Sequence, residues 1–228
     1  MKPKDLKCPF KWETRHPLVS DRVLYVPTYF AKHHEWSFPS FSDPVIFGNQ
    51  HPVLVEYCSG NGDWAVAKAV QFPQFNWIAV EKRFDRVRKI WSKMKNRGVN
   101  NLLIVCGEAL TFSRFYLPST SIDEVFVNFP DPWPKRGHAK HRLIQFPFIE
   151  ESVRVVKPGG NMTLVTDDED YSEQMIVSLT THGHWASRFP DPYYVTNWPG
   201  YGDSFFDALW RAKGCVIRYH QFERKGGS

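Results

Sequence analysis

The 228-residue chain has no apolar run long enough to cross a membrane, and its few cysteines are not paired in sequence. A membrane helix needs about 20 consecutive apolar residues, and no apolar stretch follows the first seven residues as it would in a secretory signal. The four cysteines, Cys8, Cys58, Cys106 and Cys215, include no CxxC pair, which favours reduced thiols over a disulfide framework. These absences predict a soluble, cytoplasmic protein.

Two histidine pairs, His33-His34 and His182-x-His184, suggest a metal site, but neither has cysteine or carboxylate partners at ligand spacing. We therefore expect no metal. Hydrophobic residues make up 42% of the chain and charged residues 23%, which is enough apolar material for a packed core. The net charge of +5 and pI near 9.0 suit a polyanionic partner without proving one.

Short apolar runs alternate with amphipathic segments from residue 52 onward. This alternation predicts an α/β fold with a mostly parallel, seven-stranded sheet covered by helices on both faces. The predicted strands are 53–57, 75–81, 102–106, 124–128, 162–166, 185–189 and 215–222, and the predicted helices are 64–71, 83–95, 143–156 and 168–179. Residues 1–51 are predicted to be an irregular extension and residues 52–228 the single domain. The extension mixes basic and aromatic side chains, a composition that can hold nucleic acid.

The first strand of this domain runs into a glycine loop. Gly60-Asn-Gly62-Asp-Trp-Ala65 fits the loose dinucleotide pattern G-x-G-x-x-G/A, which alone is weak evidence. Glu56 and Asp63 place carboxylates beside the loop, where they would repel a pyrophosphate and favour a cationic ligand. Asp63 is equally well interpreted as the N-cap of the next helix.

The next two strands also end in carboxylates. Glu81 can accept both hydroxyls of a ribose, or it can form an ion pair with Lys82 or Arg83. Glu108 follows the third strand and could reach an adenine amino group. Ligands of parallel sheets bind beyond the carboxyl ends of the strands. Three acidic strand ends with a glycine loop predict a pocket for S-adenosylmethionine, whose sulfonium and ammonium groups are cationic.

Strand four ends in Asn128-Phe-Pro-Asp131-Pro-Trp-Pro-Lys135, where two prolines hold Asp131 rigidly. The segment 135–142 then has six basic or potentially basic residues in eight positions, which suits either a solvated loop or a phosphate-binding rim. Strand five is followed by 167–170, of which Asp168, Glu169 and Asp170 suit the cap of the next helix and Asp167 can face the cleft.

Together these residues resemble the bacterial tRNA (guanine-N7-)-methyltransferase family, the TrmB-like enzymes, over about 52–223, most specifically in the octapeptide 128–135 with its basic tail. The resemblance implies a Rossmann-like class I methyltransferase that uses S-adenosylmethionine to methylate N7 of guanine 46 in the tRNA variable loop, as a monomer or homodimer. It implies Asp131 as catalytic, and it implies two further sets of residues. The cofactor set is Glu56, Gly60, Gly62, Glu81, Glu108 and Asp131, and the substrate set is Lys135, Asp167, Ser204, Phe205, Phe206 and Asp207.

Several positions depart from the family pattern. Cys58 replaces the first glycine of E-x-G-x-G-x-G, and it fits there if its φ is negative. Glu108 stands where aspartate is usual and Asp207 where glutamate is usual, while Gly137 and His141 replace arginines. Two alternatives stay open: a methyltransferase acting on an amine of another nucleic acid or protein, and a nicotinamide-dependent oxidoreductase using the glycine loop. A nucleic-acid-binding protein without activity would leave the carboxylates unexplained.

Overall fold

The computed structural model describes residues 1–201 and 205–226, and the chain divides into two compact units. The first unit is Met1–Pro118 and the second unit is Ser119–Ser228. Each combines strands with helices, as the α/β prediction requires. No helix within the described ranges is long and apolar enough to span a bilayer. The boundary after residue 51 rests on composition and stays a prediction.

The first unit is built on a five-stranded sheet. Its strands are β1 (Leu18–Ser20), β2 (Val23–Tyr25), β3 (Val53–Tyr57), β4 (Asn76–Glu81) and β5 (Leu102–Cys106). Their order is β1-β2-β5-β4-β3, in which β2, β5, β4 and β3 are parallel and β1 is antiparallel to β2. Every residue of β3 and β4 is buried, as expected of parallel strands covered on both faces. The carboxyl ends of β2, β3, β4 and β5 therefore meet at one edge.

The strands β1 and β2 lie in the segment that was predicted to be irregular. Val23, Leu24 and Tyr25 are buried and pair in register with Ile104, Val105 and Cys106 of β5. Three-residue strands are shorter than the window in which alternation can be recognised. The N-terminal segment thus contributes two strands that its sequence pattern does not reveal.

Three helices complete the first unit: α1 (Asp63–Gln71), α2 (Phe84–Asn96) and α3 (Ala109–Tyr116). The helix predicted over 83–95 is present as α2, and it buries Val87, Trp91 and Met94. The helix α3 was not predicted. Its eight residues are mostly aromatic or hydroxylated types of middling helix propensity, and its start depends on capping by the side chain of Glu108.

The second unit has a four-stranded sheet and three helices. The strands are β6 (Ile122–Asn128), β7 (Val156–Thr166), β8 (Trp185–Ser187) and β9 (Arg218–Arg224), and the helices are α4 (Phe146–Val155), α5 (Glu169–His182) and α6 (Phe205–Ala212). The strand order is β6-β7-β9-β8; β6 and β7 are parallel, and β9 is antiparallel to both β7 and β8. Pro147 falls in the first turn of α4, where a missing N–H costs nothing.

The described residues therefore contain nine strands, where the sequence predicted seven. The two additional strands are β1 and β2. The predicted strand 162–166 is the second half of β7, which already begins at Val156 and runs through Pro158-Gly-Gly160. Glycines at 159 and 160 are typical of a break between elements, but β7 continues through them. Its partner β6 has a register shift between Ile122 and Glu124, and a strand tolerates glycine at such an irregularity.

A buried histidine lies in β9. His220 is completely buried, and its Nδ1 donates to the carbonyl of Tyr193 at 3.1 Å. Its Nε2 lies 3.0 Å from the hydroxyl of Ser172 on α5. A donor on Nδ1 and an acceptor on Nε2 describe the neutral ring. Burial lowers the pKa of His220 to about 4.

We expect this histidine to make the protein acid-sensitive. As the pH falls from 6.5 to 4, the unfolded chain binds a proton at this residue and the folded chain does not, so the free energy of unfolding falls by up to about 3 kcal/mol. Urea unfolding across this range should show a flatter profile for His220→Asn than for the wild type. The matched variant His16→Asn, at an exposed histidine, should keep the wild-type slope; an equal slope for His220→Asn would contradict the assignment.

Candidate active site

The glycine loop connects β3 to α1 and contains two glycines that no other residue could replace cheaply. Gly60 and Gly62 have φ of +57° and +75°, in the left-handed region that favours glycine. A Cβ added at Gly62 would lie 2.7 Å from Cγ1 of Ile90 on α2. The loop backbone therefore packs directly against a helix on one side, which leaves its other side available to approach a ligand closely.

Cys58 adopts a conformation opposite to the one expected for it. Its φ is +60°, so the condition of a negative φ is not met. A non-glycine residue in this region carries about 1–2 kcal/mol of steric cost. Glycine is therefore the residue this position favours, and the loop retains a cysteine in spite of its backbone conformation.

Glu81 joins the end of β4 to the glycine loop. Its Oε2 accepts from the backbone N–H of Gly60 at 3.0 Å, and its Oε1 accepts from the N–H of Arg83 at 2.8 Å. The guanidinium of Arg86 lies 3.6 Å from Oε2, so the predicted ion pair with Lys82 or Arg83 is replaced by one with Arg86. The side chain is 5% exposed and fixed from three directions, and its remaining lone pairs can accept further hydrogen bonds.

Glu56 and Glu108 occupy the neighbouring strand ends. Glu56 is buried as the fourth residue of β3. Glu108 follows β5 and caps α3, accepting from the N–H of Thr111 at 2.8 Å and from that of Leu110 at 3.2 Å. The structure thus gives Glu108 a capping contact that the sequence analysis did not assign to it.

Asp63 does not cap α1, because Gly62 is the N-cap residue and no side chain caps this helix. The carboxylate of Asp63 lies 2.6 Å from Nζ of Lys93 on α2. The same ammonium donates to the carbonyl of Asn61 at 2.9 Å. Asp63 and Lys93 therefore hold the glycine loop against α2, and neither of the two predicted roles of Asp63 is needed to explain it.

The carboxyl edge of the first unit thus carries several carboxylates around the glycine loop, whose backbone can approach a ligand closely. Glu81 and Glu108 follow neighbouring parallel strands, and Glu56 precedes the loop in the next strand. An anionic phosphate would be repelled here, whereas the ammonium and ribose hydroxyl groups of a ligand find hydrogen-bond acceptors and the positive charge of a sulfonium is attracted. A Cβ at Gly107 would lie 2.6 Å from Cβ of Val26, so the backbone is closely packed here too. These residues fit S-adenosylmethionine.

In the second unit, the segment 128–135 after β6 is held in an unusual backbone conformation. Phe129 and Trp133 have φ of +49° and +46°, and such strain persists where the surroundings impose it. The N–H of Phe129 donates to the carbonyl of Val165 at 2.8 Å. Asp131 lies between these two strained positions and is exposed.

Arg142 holds this segment in place. It is 8% exposed, its Nε donates to the carbonyl of Pro132 at 2.6 Å, and its Nη1 donates to Gln174 on α5 at 2.7 Å. The guanidinium also stacks 4.8 Å from the ring centre of Tyr171. Arg142 belongs to the basic tract 135–142 by sequence, but its guanidinium is directed into the protein. Its Nη2 lies 4.0 Å from Oδ1 of Asp168.

The rest of the basic tract is at the surface. A short 3-10 helix of six residues, Arg136–His141, follows Lys135. The exposed members whose side chains the structure describes are Lys135, His138, Lys140 and His141. The ring of Trp133 lies 5.2 Å from that of His141 and 5.9 Å from that of His138, so this indole packs against the tract.

Asp167 and Asp168 follow β7, the strand beside β6. Asp168 is the N-cap of α5 and accepts from the N–H of Tyr171 at 2.8 Å, which confirms its predicted capping role. Asp167 makes no such cap; burial raises the pKa of its carboxyl, and Asp168 adds to the effect. Because β6 and β7 are parallel, Asp131 and Asp167 belong to the same edge of this unit.

The predicted substrate segment 204–207 is only partly described. Ser204 lies outside the described residues, and Phe205 and Phe206 begin α6. Asp207 is buried: its Oδ1 accepts from Nε of Arg211 at 2.7 Å, and its Oδ2 accepts from the hydroxyl of Tyr219. Burial, together with the hydrogen bond to Asp207, raises the pKa of Tyr219 to about 12. The structure gives Asp207 a buried network with β9, which the sequence did not indicate.

The histidine pairs have other partners. His33 is buried against Tyr116, with Nδ1 2.6 Å from the tyrosine oxygen, and His182 lies 2.5 Å from Glu150. Over the ranges that the structure describes, no three metal-ligating side chains form a cluster.

Comparisons with known proteins extend these observations. Residues 50–196 match a family model described as "Putative methyltransferase". The tRNA (guanine-N(7)-)-methyltransferase of Chlamydia abortus is 51% identical over 227 residues, covering 100% of both chains. The protein of that name from Rubrobacter xylanophilus is 31% identical over 210 residues, covering 91% of this chain and 92% of that one.

Solved structures share the fold at low sequence identity. The 16S rRNA methyltransferase KamB superposes with a TM-score of 0.57 and 14% identity, over 78% of this chain and 90% of that one. The antibiotic-resistance methyltransferase Kmr gives a TM-score of 0.53 and 22% identity, over the same shares. The fold is that of the Rossmann-like class I methyltransferases.

The glycine loop yields a paired prediction on stability. Gly62→Ala should lower the free energy of unfolding by about 2–4 kcal/mol, because the new Cβ meets Ile90 in a left-handed backbone. Cys58→Gly should leave it unchanged or raise it by up to about 1 kcal/mol, since relief of strain is offset by chain entropy. Urea unfolding measures both. A clear loss of stability in Cys58→Gly would contradict the account of this loop.

A second prediction concerns Arg142. Lysine keeps the charge but cannot donate to Pro132 and Gln174 together, so Arg142→Lys should speed amide hydrogen exchange in residues 129–142 by about tenfold or more. Mass spectrometry of peptic fragments measures this. Arg154→Lys is the matched control, because Arg154 pairs with Glu151 on α4; exchange in 129–142 should not change. Equal protection in both variants would remove Arg142 as the residue that holds this segment.

Proposed function

Because this chain belongs to the tRNA (guanine-N(7)-)-methyltransferase family, we propose that it transfers a methyl group from S-adenosylmethionine to N7 of a guanine in tRNA. The observation that carries the proposal is the arrangement of carboxylates at strand ends. Glu56, Glu81 and Glu108 adjoin the glycine loop in the first unit, and Asp131 and Asp167 follow β6 and β7 in the second.

The first set of carboxylates would hold the cofactor. Bound S-adenosylmethionine supplies an electrophilic methyl group on a sulfonium. Glu81, fixed by Gly60 and Arg83, would accept the ribose hydroxyls with its remaining lone pairs. Glu56 would favour the cationic end of the ligand, and Glu108 would accept from the adenine amino group. The positive φ of Gly60 and Gly62 lets the backbone approach without a side chain in the way.

Methyl transfer to N7 of guanine does not require the protein to remove a proton. N7 of guanine has a lone pair without a proton, so no general base is required before methyl transfer. The carboxylates of Asp131 and Asp167 would instead accept from N1–H and the N2 amino group of guanine and stabilise the positive charge that develops on the purine. Positioning of the two reactants would supply much of the remaining acceleration.

The basic tract supports tRNA as the substrate. Lys135, Lys140 and the imidazoles of His138 and His141 are exposed next to the Asp131 segment, where they can contact phosphates. Lys135 would bind the tRNA substrate. The other members proposed to bind substrate are those of the segment Ser204, Phe205, Phe206 and Asp207. With Arg142 directed inward and Gly137 and His141 in place of arginines, fewer guanidinium groups are available for phosphate than the family pattern suggests.

We propose guanine 46 of the variable loop as the methylated position, and the cytoplasm as the place where the enzyme acts, as a monomer or homodimer. The family resemblance supports these points. Chain cleavage at 7-methylguanosine, followed by mapping of the cut, would locate the base, and analytical ultracentrifugation would give the oligomeric state. A cut elsewhere in the tRNA would move the substrate position and leave the reaction unchanged.

The reaction is tested by tritium transfer from labelled S-adenosylmethionine to unmodified total tRNA, followed by nucleoside analysis. We expect a 7-methylguanosine product, and a fall in kcat of about 100-fold or more in Asp131→Asn, which keeps the shape and removes the charge. Asp170→Asn is the matched control, because Asp170 is an exposed carboxylate in the first turn of α5; it should keep wild-type activity.

The other outcomes separate the alternatives. Binding of the cofactor with a different methylated product would keep the methyltransferase and change its substrate. Binding of a nicotinamide nucleotide without S-adenosylmethionine binding would overturn the proposal.

A further inference from the structure

Two aromatic side chains of the first unit point into solvent in a region that none of the proposed site residues occupies. Trp12 is 56% exposed and Tyr29 is 89% exposed. Their rings lie 6.3 Å apart at an interplanar angle of 63°. Tyr25, a third aromatic of the same segment, is buried in β2. The structure thus separates the aromatics of the extension into those that anchor it and these two, which do not.

The backbone around these rings is rigid. Arg15 donates three hydrogen bonds to main-chain carbonyls: from Nη1 to Trp12 at 2.7 Å, from Nε to Thr28 at 3.0 Å, and from Nη2 to Tyr29 at 2.6 Å. Its guanidinium lies 3.9 Å from the centre of the Trp12 ring. One arginine therefore ties the two aromatic residues together and covers one face of the indole.

Tyr29 is held in a costly conformation. Its φ is +51°, which for a bulky aromatic residue is a genuine outlier. With 89% of its surface exposed, Tyr29 gains little from burial that would offset this cost. Such strain is typical of binding surfaces, where it presets the geometry of a contact.

The register of the sheet places both rings beside the candidate cofactor loop. Tyr29 follows the carboxyl end of β2, where Tyr25 pairs with Cys106 of β5. Trp12 precedes β1, which is antiparallel to β2 and so begins at the same edge. Three strand spacings of about 4.8 Å separate β2 from β3, so the strand ends from which the two aromatic segments extend lie on the order of 15 Å from the end of β3 along that edge.

The charge around the rings suits a nucleic acid. The three acceptors of Arg15 are uncharged carbonyls, and within the described residues it forms no ion pair. In the sequence from residue 7 to residue 16, Lys7 and Lys11 are exposed, against one exposed carboxylate, Glu13. The neighbouring residues Thr14 and Thr28 are exposed and polar, so the two rings are the apolar surface offered here. Their area falls far short of the roughly 800 Å² that each partner buries in a stable protein interface. Two rigid rings with unneutralised positive charge instead suit stacking of a base.

We infer that Trp12 and Tyr29, braced by Arg15, form a stacking surface for an unpaired nucleotide of the tRNA. This inference rests on the proposed function for the identity of the RNA. The surface contributes affinity and orientation of the substrate and takes no part in methyl transfer.

The test is equilibrium binding of unmodified total tRNA to the full-length protein as a function of salt. Tyr29→Gly is the informative variant, because glycine removes the ring and also relieves the left-handed strain, so the fold is retained or stabilised. We expect the Kd to rise at least about fivefold with the salt slope unchanged, since stacking releases no counterions. The KM for tRNA should rise, whereas kcat and the affinity for S-adenosylmethionine should stay at wild-type values.

One further test variant and two controls complete the experiment. Trp12→Ala should weaken binding as Tyr29→Gly does, and the control Tyr29→Phe keeps the ring and should bind as the wild type does. Lys11→Ala should weaken binding with a smaller salt slope, the result of losing a phosphate contact. An unchanged Kd in Tyr29→Gly would overturn the inference, and so would a slope reduced as in Lys11→Ala. A change in sedimentation without a change in tRNA binding would assign the surface to a second copy of the chain instead.

Failure of this inference is distinguishable from failure of the proposed function. Wild-type protein that binds tRNA without forming 7-methylguanosine would refute the proposed reaction, while the comparison of Kd values would still decide the role of the rings. Wild-type methylation with equal Kd in all variants would refute the stacking surface alone.

Discussion

The carboxylate of Glu81 is the interaction on which the first unit's candidate site depends. One oxygen accepts from Gly60 in the loop after β3, and the other accepts from Arg83 at the start of α2. The backbone carbonyl of the same residue accepts from Gly107 after β5, at 3.1 Å. A single residue thus connects the ends of three neighbouring strands, and the loop conformation with its positive φ values is built around it. Its carboxylate is ordered in advance for a ligand, which lowers the entropic cost of binding.

Arg142 has the equivalent place in the second unit. It connects Pro132, within the strained segment after β6, to Gln174 and Tyr171 on α5. Asp131 is exposed and makes no helix cap, so its direction depends on this backbone. In both units a buried charged side chain holds a loop through main-chain groups. This role explains why Arg142 differs from the surface members of its own basic tract.

Much of this architecture could be predicted from the sequence. The five central strands β3 to β7 and the helices α1, α2, α4 and α5 were predicted within a few residues, except that β7 begins six residues early, because each has a clear apolar period. Asp168 was predicted as a cap and is one. The strands β1 and β2 and the helices α3 and α6 were not predicted, because each is short. Asp63 was assigned to a cap or a ligand, and its actual partner, Lys93, lies thirty residues away.

The amino-acid sequence by itself determined the kind of chemistry: the order of carboxylates after successive strands, the glycine loop, and the rigid segment around Asp131 are local patterns, and local patterns are legible residue by residue. Only the tertiary structure decided which charged side chains make contacts within the protein. Glu108 caps a helix, Asp207 is buried with Arg211 and Tyr219, and Arg142 is directed inward. It also decided that Cys58 takes a left-handed conformation and that Tyr25 is buried while Trp12 and Tyr29 are exposed. The physical reason is that a charge or a ring is defined by its partners, and those partners are brought together by chain folding over long sequence distances.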